Sequence, residues 1–302
     1  MRCQRNALAA AALLLGAARA GAGADFPVSR RLVADTLHAR VYEVSFPSAV
    51  KSPWPRNDTV WGTLMVPKGR KRPPVALILP IMAAPNDWIE QRFAWELARR
   101  GVAAFWIQMP TQLRRAPIPG EPSGQVFLAR RPERLAANFR QSVSDARRAL
   151  DVLARDPDVD GSRAAVLGVS LGAMVGAAAF SEDPRPAAAL FCLGGADFAR
   201  LVEDSAMTRP LLRRLGFTRE ELAKAFAGLD PLQHRGEEPR RPVFLVNARS
   251  DRVVPPYNAR RLAQAFPGSS QLWVPGGHYT SILHMLWIPS YAALKLAPIL
   301  ER

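Results

Sequence analysis

Apolar residues along this chain follow two alternating patterns: short uninterrupted runs, and longer stretches in which they return every three or four residues. The uninterrupted runs are Val75 to Leu79, Val102 to Ile107, Ala164 to Val169 and Ala187 to Leu193, and the mostly apolar segments Val243 to Asn247 and Gln271 to Val274 join them. Runs of this length, bounded by Gly, Pro and Asp, predict buried strands. Between them, Asn86 to Arg100 carries Ile89, Phe93 and Leu97 at helical spacing and is stopped by Gly101. A longer helix is predicted from the stripe Leu135, Phe139, Val143, Ala146, Leu150 and Leu153, ended by Asp156-Pro157. Further helices are predicted at Leu171 to Phe180, at Asn258 to Phe266 and from about Tyr291 to the C-terminus. Upstream, His38 to Ser48 and Thr59 to Val66 read as two strands that pair antiparallel at one edge.

Strands and helices in alternation predict an α/β fold, a mostly parallel doubly wound sheet with helices on both faces and an antiparallel edge. Two segments break the alternation. Residues 110–130 are rich in Pro, Gly and Arg, have no period, and follow a predicted strand end, where α/β proteins place binding loops. Residues 197–241 hold several short helical stretches, one opened by the capping-box spacing Thr218-Arg219-Glu220-Glu221. They are read as a small helical cap inserted in one domain spanning 25–302.

Of the 302 residues 48% are hydrophobic and 22% charged, enough for a large core and unlike a disordered chain. Arg2 and Arg5 precede an apolar stretch from Ala7 to Ala18, and A-x-A sites end at Ala20 and Ala24. That stretch falls short of the roughly 20 apolar residues a membrane span needs. Residues 1–24 are therefore expected to be a signal peptide cleaved after Ala20 or Ala24, leaving a secreted or periplasmic protein. Cleavage lowers the net charge from +15 to +12 and leaves Cys192 as the sole cysteine, in an apolar run that predicts a buried structural thiol. The positive excess is nearly all arginine in dispersed pairs, such as Arg99-Arg100, Arg114-Arg115 and Arg147-Arg148, read as solvated helix faces and ends. No basic stripe with interleaved aromatics points to a nucleic-acid partner. Weak attraction to anionic cell-surface material is the one partner the charge suggests. No metal cluster, Walker loop or dinucleotide fingerprint appears, so neither cofactor nor metal is expected.

Gly168-Val169-Ser170-Leu171-Gly172 sits between a predicted strand and a helix of small residues. A serine at so sharp a turn takes a strained backbone and projects its hydroxyl above the sheet, and the flanking glycines remove clashing Cβ atoms. The amide of Leu171, at a helix N-terminus, is placed to bind an oxyanion. A serine hydroxyl needs a base, and the base needs a third group to hold its tautomer. Of four histidines, His278 follows the last predicted strand; His38 lies in a predicted edge strand, His234 in the inserted segment and His284 in an apolar helical stretch. Asp251, just after the strand ending at Asn247, is the preferred acid, with Asp197 and then Asp230 as competitors.

Ser170, Asp251 and His278, in that order and each at a predicted strand end, resemble the α/β-hydrolase superfamily. Thr63-Leu64-Met65-Val66-Pro67 and Asp251 to Pro255 are similar to its dienelactone-hydrolase and acetyl-xylan-esterase branch. The resemblance covers the chain from about Val60 onward. It implies a second oxyanion amide after the strand ending at Leu79, where many members have His-Gly and this chain has Pro80-Ile81-Met82. By position that amide belongs to Met82, or failing that to Ile81. The activity implied is hydrolysis of a small-molecule ester through an acyl-enzyme, with no cofactor. The alternatives are a serine peptidase acting on short peptides and an inactive hydrolase serving as a binding protein. Met285 and Trp287 are pocket candidates; Trp88, Trp95 and Trp106, on predicted core elements, read as packing.

Overall fold

The computed structural model describes residues 25–124, 126–129, 131–234 and 241–302, and the predicted signal peptide at 1–24 lies outside them. Among the described residues the strands are β1 (Ser29–Asp35), β2 (Ala39–Pro47), β3 (Thr59–Pro67), β4 (Pro74–Leu79), β5 (Ala103–Ile107), β6 (Asp160–Val169), β7 (Ala188–Cys192), β8 (Val243–Ala248) and β9 (Ser270–Val274). They form a single sheet in the order β1-β2-β3-β5-β4-β6-β7-β8-β9. From β5 to β9 the neighbours are parallel, while β1, β2 and β3 join them as an antiparallel margin. Parallel strands covered on both faces read as unbroken apolar runs, which is why five of the predicted runs coincide with β4 to β8; the sixth matches β9, a partly buried margin strand.

The helices are α1 (Trp88–Ala98), α2 (Pro132–Arg155), α3 (Leu171–Glu182), α4 (Phe198–Asp204), α5 (Arg209–Leu215), α6 (Arg219–Ala225), α7 (Pro256–Ala265) and α8 (Ile288–Leu300). Side chains of a strand alternate between faces. Val75, Leu77 and Leu79 of β4 join a core with α2, α3 and α7, and Ala76 and Ile78 join one with α1 and α8. The cap helices α4 and α6 rest on the first layer through rings: Phe198 and Phe226 lie 4.9 and 5.8 Å from Phe139 of α2, centroid to centroid. Thr218 and Glu221 form the predicted reciprocal capping box at the start of α6.

Four sequence expectations need correction. A strand without a clear apolar period, β1, lies outside the two predicted edge strands and leaves Leu32 and Val33 about half exposed. His38 lies in the turn between β1 and β2 rather than within a strand. Trp88 and Trp95 are exposed on the outside of α1; Trp106 alone of the three is core, donating its indole N–H to Asp87 Oδ2 at 2.8 Å. Arg115, taken for one of a solvated pair, is fully buried in the loop between β5 and α2. Its guanidinium donates to Asp145 Oδ2 at 2.7 Å and to the carbonyls of Asn57 and Gln108. A buried ion pair of this kind is tolerated only where the remaining hydrogen bonds are also made, and here they anchor an otherwise aperiodic loop.

Candidate active site

β4 and β6 are neighbours from which the chain departs in opposite directions across the sheet, so a crevice opens at their C-terminal ends. Ser170 follows β6 directly. Its backbone has φ +54° and ψ −114°, outside the ordinary allowed regions for a side-chain-bearing residue. The turn is held from both sides: Ser170 N–H donates to the Cys192 carbonyl at 2.8 Å, and its own carbonyl accepts from Ala173 and Met174. A Cβ on Gly168 would lie 2.1 Å from the Gly172 carbonyl oxygen, and one on Gly172 would lie 2.0 Å from that of Leu79. Only glycine at both positions lets strand, turn and helix close up.

Asp251 and His278 come from the loops after β8 and β9. Backbone bonds lace these loops together, from Arg249 N–H to the Val274 carbonyl and from Ser250 N–H to the Gly276 carbonyl, both 2.9 Å. The Asp251 side chain is almost wholly buried, and its Oδ1 accepts from the amides of Val253 and Val254, each at 2.8 Å. Its Oδ2 lies 2.7 Å from His278 Nδ1, and His278 Nε2 lies 2.9 Å from Ser170 Oγ. A carboxylate accepts only, so Nδ1 carries the proton and Nε2 is left as the acceptor facing the serine hydroxyl.

The competing residues are occupied elsewhere. Asp197 accepts from the Tyr257 hydroxyl at 3.3 Å and lies 3.8 Å from Arg261 Nε. Asp230 accepts from the amides of Phe198 and Leu232 under the cap, where burial pushes its carboxyl above the usual range. His234 Nε2 pairs with the Gly228 carbonyl. His284 spans from the Pro275 carbonyl to the Trp287 indole N–H. Cys192 is fully buried, and the loss of water around it raises its thiol pKa, so it stays protonated. Among the described residues no group of three His, Cys, Asp or Glu side chains is placed to hold a metal ion.

Leu171 is the first residue of α3, so its N–H has no partner within the helix. Met82 lies three residues beyond the end of β4 against the same crevice and lines it together with Ser170. Sequence reasoning missed Gln112, in the aperiodic loop and fully buried, which donates from Nε2 to the Ile81 carbonyl at 3.1 Å. That carbonyl and the Met82 N–H belong to one trans peptide and point in opposite directions. Fixing the first therefore fixes the second. Of the two pocket candidates, Met285 lines the crevice, whereas Trp287 is exposed and does not.

This architecture is the α/β-hydrolase fold. An acetyl xylan esterase from Paenibacillus sp. R4 superposes with a TM-score of 0.65 at 21% identity, covering 89% of each chain. Acetyl xylan esterase 1 from Thermoanaerobacterium sp. JW/SL YS485 gives 0.66 at 16% identity over 88% of each chain. A puromycin-hydrolysing peptidase of Mycobacterium tuberculosis gives 0.56 at 17% identity, covering 90% of this chain and 39% of that one. No protein-family model matches the sequence, and neither does any curated protein.

Proposed function

We propose that the protein is a serine hydrolase that cleaves carboxylic esters through an acyl-enzyme. The observation that carries this reading is the continuous chain from Ser170 Oγ to His278 Nε2 and from His278 Nδ1 to Asp251, at 2.9 and 2.7 Å. In the first step Nε2 takes the Ser170 proton as Oγ attacks the ester carbonyl. The amides of Leu171 and Met82 hold the oxygen that becomes negative. Collapse of the tetrahedral species breaks the bond to the alcohol, which leaves with the proton from Nε2. Water then repeats the sequence on the acyl-enzyme, its proton passing to Nε2 and on to Ser170 Oγ as the acid departs. Asp251 holds the ring in one tautomer and steadies its positive form without itself changing protonation. The similarity to solved esterases supports an ester as substrate. Export to the periplasm or beyond is proposed from the basic and apolar pattern of residues 1–24 alone.

Ser170→Ala tests the assignment. Turnover of p-nitrophenyl esters should fall by ~10³ or more, with the circular dichroism spectrum and melting unchanged, because only the nucleophile is removed. Retained turnover would move the chemistry to another residue.

A further inference from the structure

Two pockets meet at Ser170, and Met82 and Met207 line both. One runs under the cap between Leu135 and Phe139 of α2, Met174 of α3, Phe198 and Val202 of α4, and Val254. The other opens beside His278 among Ile89, Val169, Leu193, Ile282 and Met285. The chemistry tells them apart. The leaving oxygen must take its proton from His278 Nε2, so the alcohol lies in the pocket that His278 lines. The acyl group then occupies the pocket under the cap, where His278 is absent.

Among the described residues no charged side chain lines that acyl pocket. Besides Ser170 its hydroxyls are those of Ser205 and Thr208, and both are turned to backbone. Thr208 donates to the Val202 carbonyl, and Ser205 Oγ accepts from Met207 N–H at 3.2 Å. A substrate hydroxyl placed there would lose water and find little in exchange. The alcohol side is scarcely more polar: Ser281 donates to the Gly277 carbonyl at 2.7 Å, and Tyr279 stands at the exposed rim with Ile282. The apolar wall under the cap is drawn from α2, α3, α4 and Phe226 just after α6, more apolar surface than a methyl group covers.

Resting on the ester-hydrolase reading, we propose that the substrate is lipophilic on both sides of the ester bond. It joins an acyl chain well beyond acetyl to an alkyl or aryl alcohol, and it is not an acetylated sugar. The cap helix α4 supplies the wall that selects the acyl chain, with Val202 between the acyl pocket and a smaller apolar space lined by Leu211, Leu212 and Phe217.

The experiment is a comparison of kcat/KM for p-nitrophenyl acetate, butanoate and hexanoate and for peracetylated xylose, on the full protein and on Ser170→Ala. Each buried methylene is worth about fourfold in binding, so hexanoate should exceed acetate by at least ~10-fold after allowance for incomplete burial. Peracetylated xylose should be the poorest of the four. Val202→Phe should cut the hexanoate-to-acetate ratio by about tenfold; if that variant does not fold, the ratio of the unaltered protein decides. Ser170-dependent turnover with acetate or the sugar acetate preferred would overturn the lipophilic-substrate inference and leave the hydrolase reading standing. An absence of Ser170-dependent turnover on every ester would overturn the hydrolase reading, and this inference with it.

Discussion

Of the two oxygens of Asp251, one faces His278 and the other is held by two amides, so the carboxylate has no freedom to turn. Replacing it with Asn puts an amide beside Nδ1 and favours the wrong imidazole tautomer. Asp251→Asn should lower kcat by ~10³–10⁴, whereas Asp197→Asn, whose carboxylate faces Tyr257 and Arg261, should change it by less than about tenfold. Steady-state rates on one ester decide this, and the reverse ranking would mean the acid is misassigned. Glu90 on α1 raises a separate question of stability. It is buried with Oε1 unpartnered, and loss of water pushes its pKa up to about 7, with Asp87 adding to the effect. Between the ordinary carboxylate pKa near 4.5 and about 7, the folded chain holds a proton that the unfolded chain has released. Stability therefore falls as pH rises through that window and levels off above it. At ~1.4 kcal/mol per tenfold change in proton affinity the penalty is on the order of 3 kcal/mol. Urea denaturation of Glu90→Gln and the parent should show the variant gaining by about that much between pH 4.5 and pH 8; a pH-independent difference would contradict the burial argument.

At the scale of elements, the turn from β6 into α3 works because two glycines let three backbones touch. Gly172 abuts the end of β4, with a hypothetical Cβ 2.0 Å from the Leu79 oxygen and 2.7 Å from that of Pro80. The strand end leading to Ile81 and Met82 is thereby pressed against the helix whose first amide belongs to Leu171. Gly172→Ala sets a methyl against backbone that no rotamer change can relieve. It should cost more than ~3 kcal/mol in a denaturant titration; a loss under ~1 kcal/mol would show that the contact is not tight. The sequence revealed this turn because its chemistry is local, five residues between an apolar run and a small-residue helix. It revealed β4 to β8 because both their faces are buried. β1 stayed hidden because an exposed margin imposes no apolar period. Gln112 and Arg115 stayed hidden because they sit in a loop with no pattern of its own and most of the groups they serve, Ile81, Asn57 and Asp145, lie 30 or more positions away.

For the whole molecule, order along the chain became position in space by a simple rule. Each loop that follows a parallel strand emerges at the same rim, so Ser170, Asp251 and His278 meet although the serine and histidine are 108 positions apart. Adjacency of β4 and β6 brings Met82 to the same rim; its exact placement rests on Gln112, which no local pattern announces. The arginine excess also has a partly internal explanation. Arg115 and Arg241, each from an arginine pair, bind Asp145 and the carbonyls of Phe180, Asp183 and Pro186, and the unpaired Arg185 joins Asp183 to Asp151, so these arginines fasten loops to helices α2 and α3. Helices α4 to α6 add an apolar wall beside Ser170 to this common scaffold.

Labelling the protein with a fluorophosphonate and mapping the modified residue by mass spectrometry asks the central question without choosing a substrate. A reactive hydroxyl exists here only if serine, imidazole and carboxylate act together. The account predicts one adduct, on Ser170, that disappears in His278→Ala while the fold persists. An adduct on another residue, or undiminished labelling without His278, would contradict it.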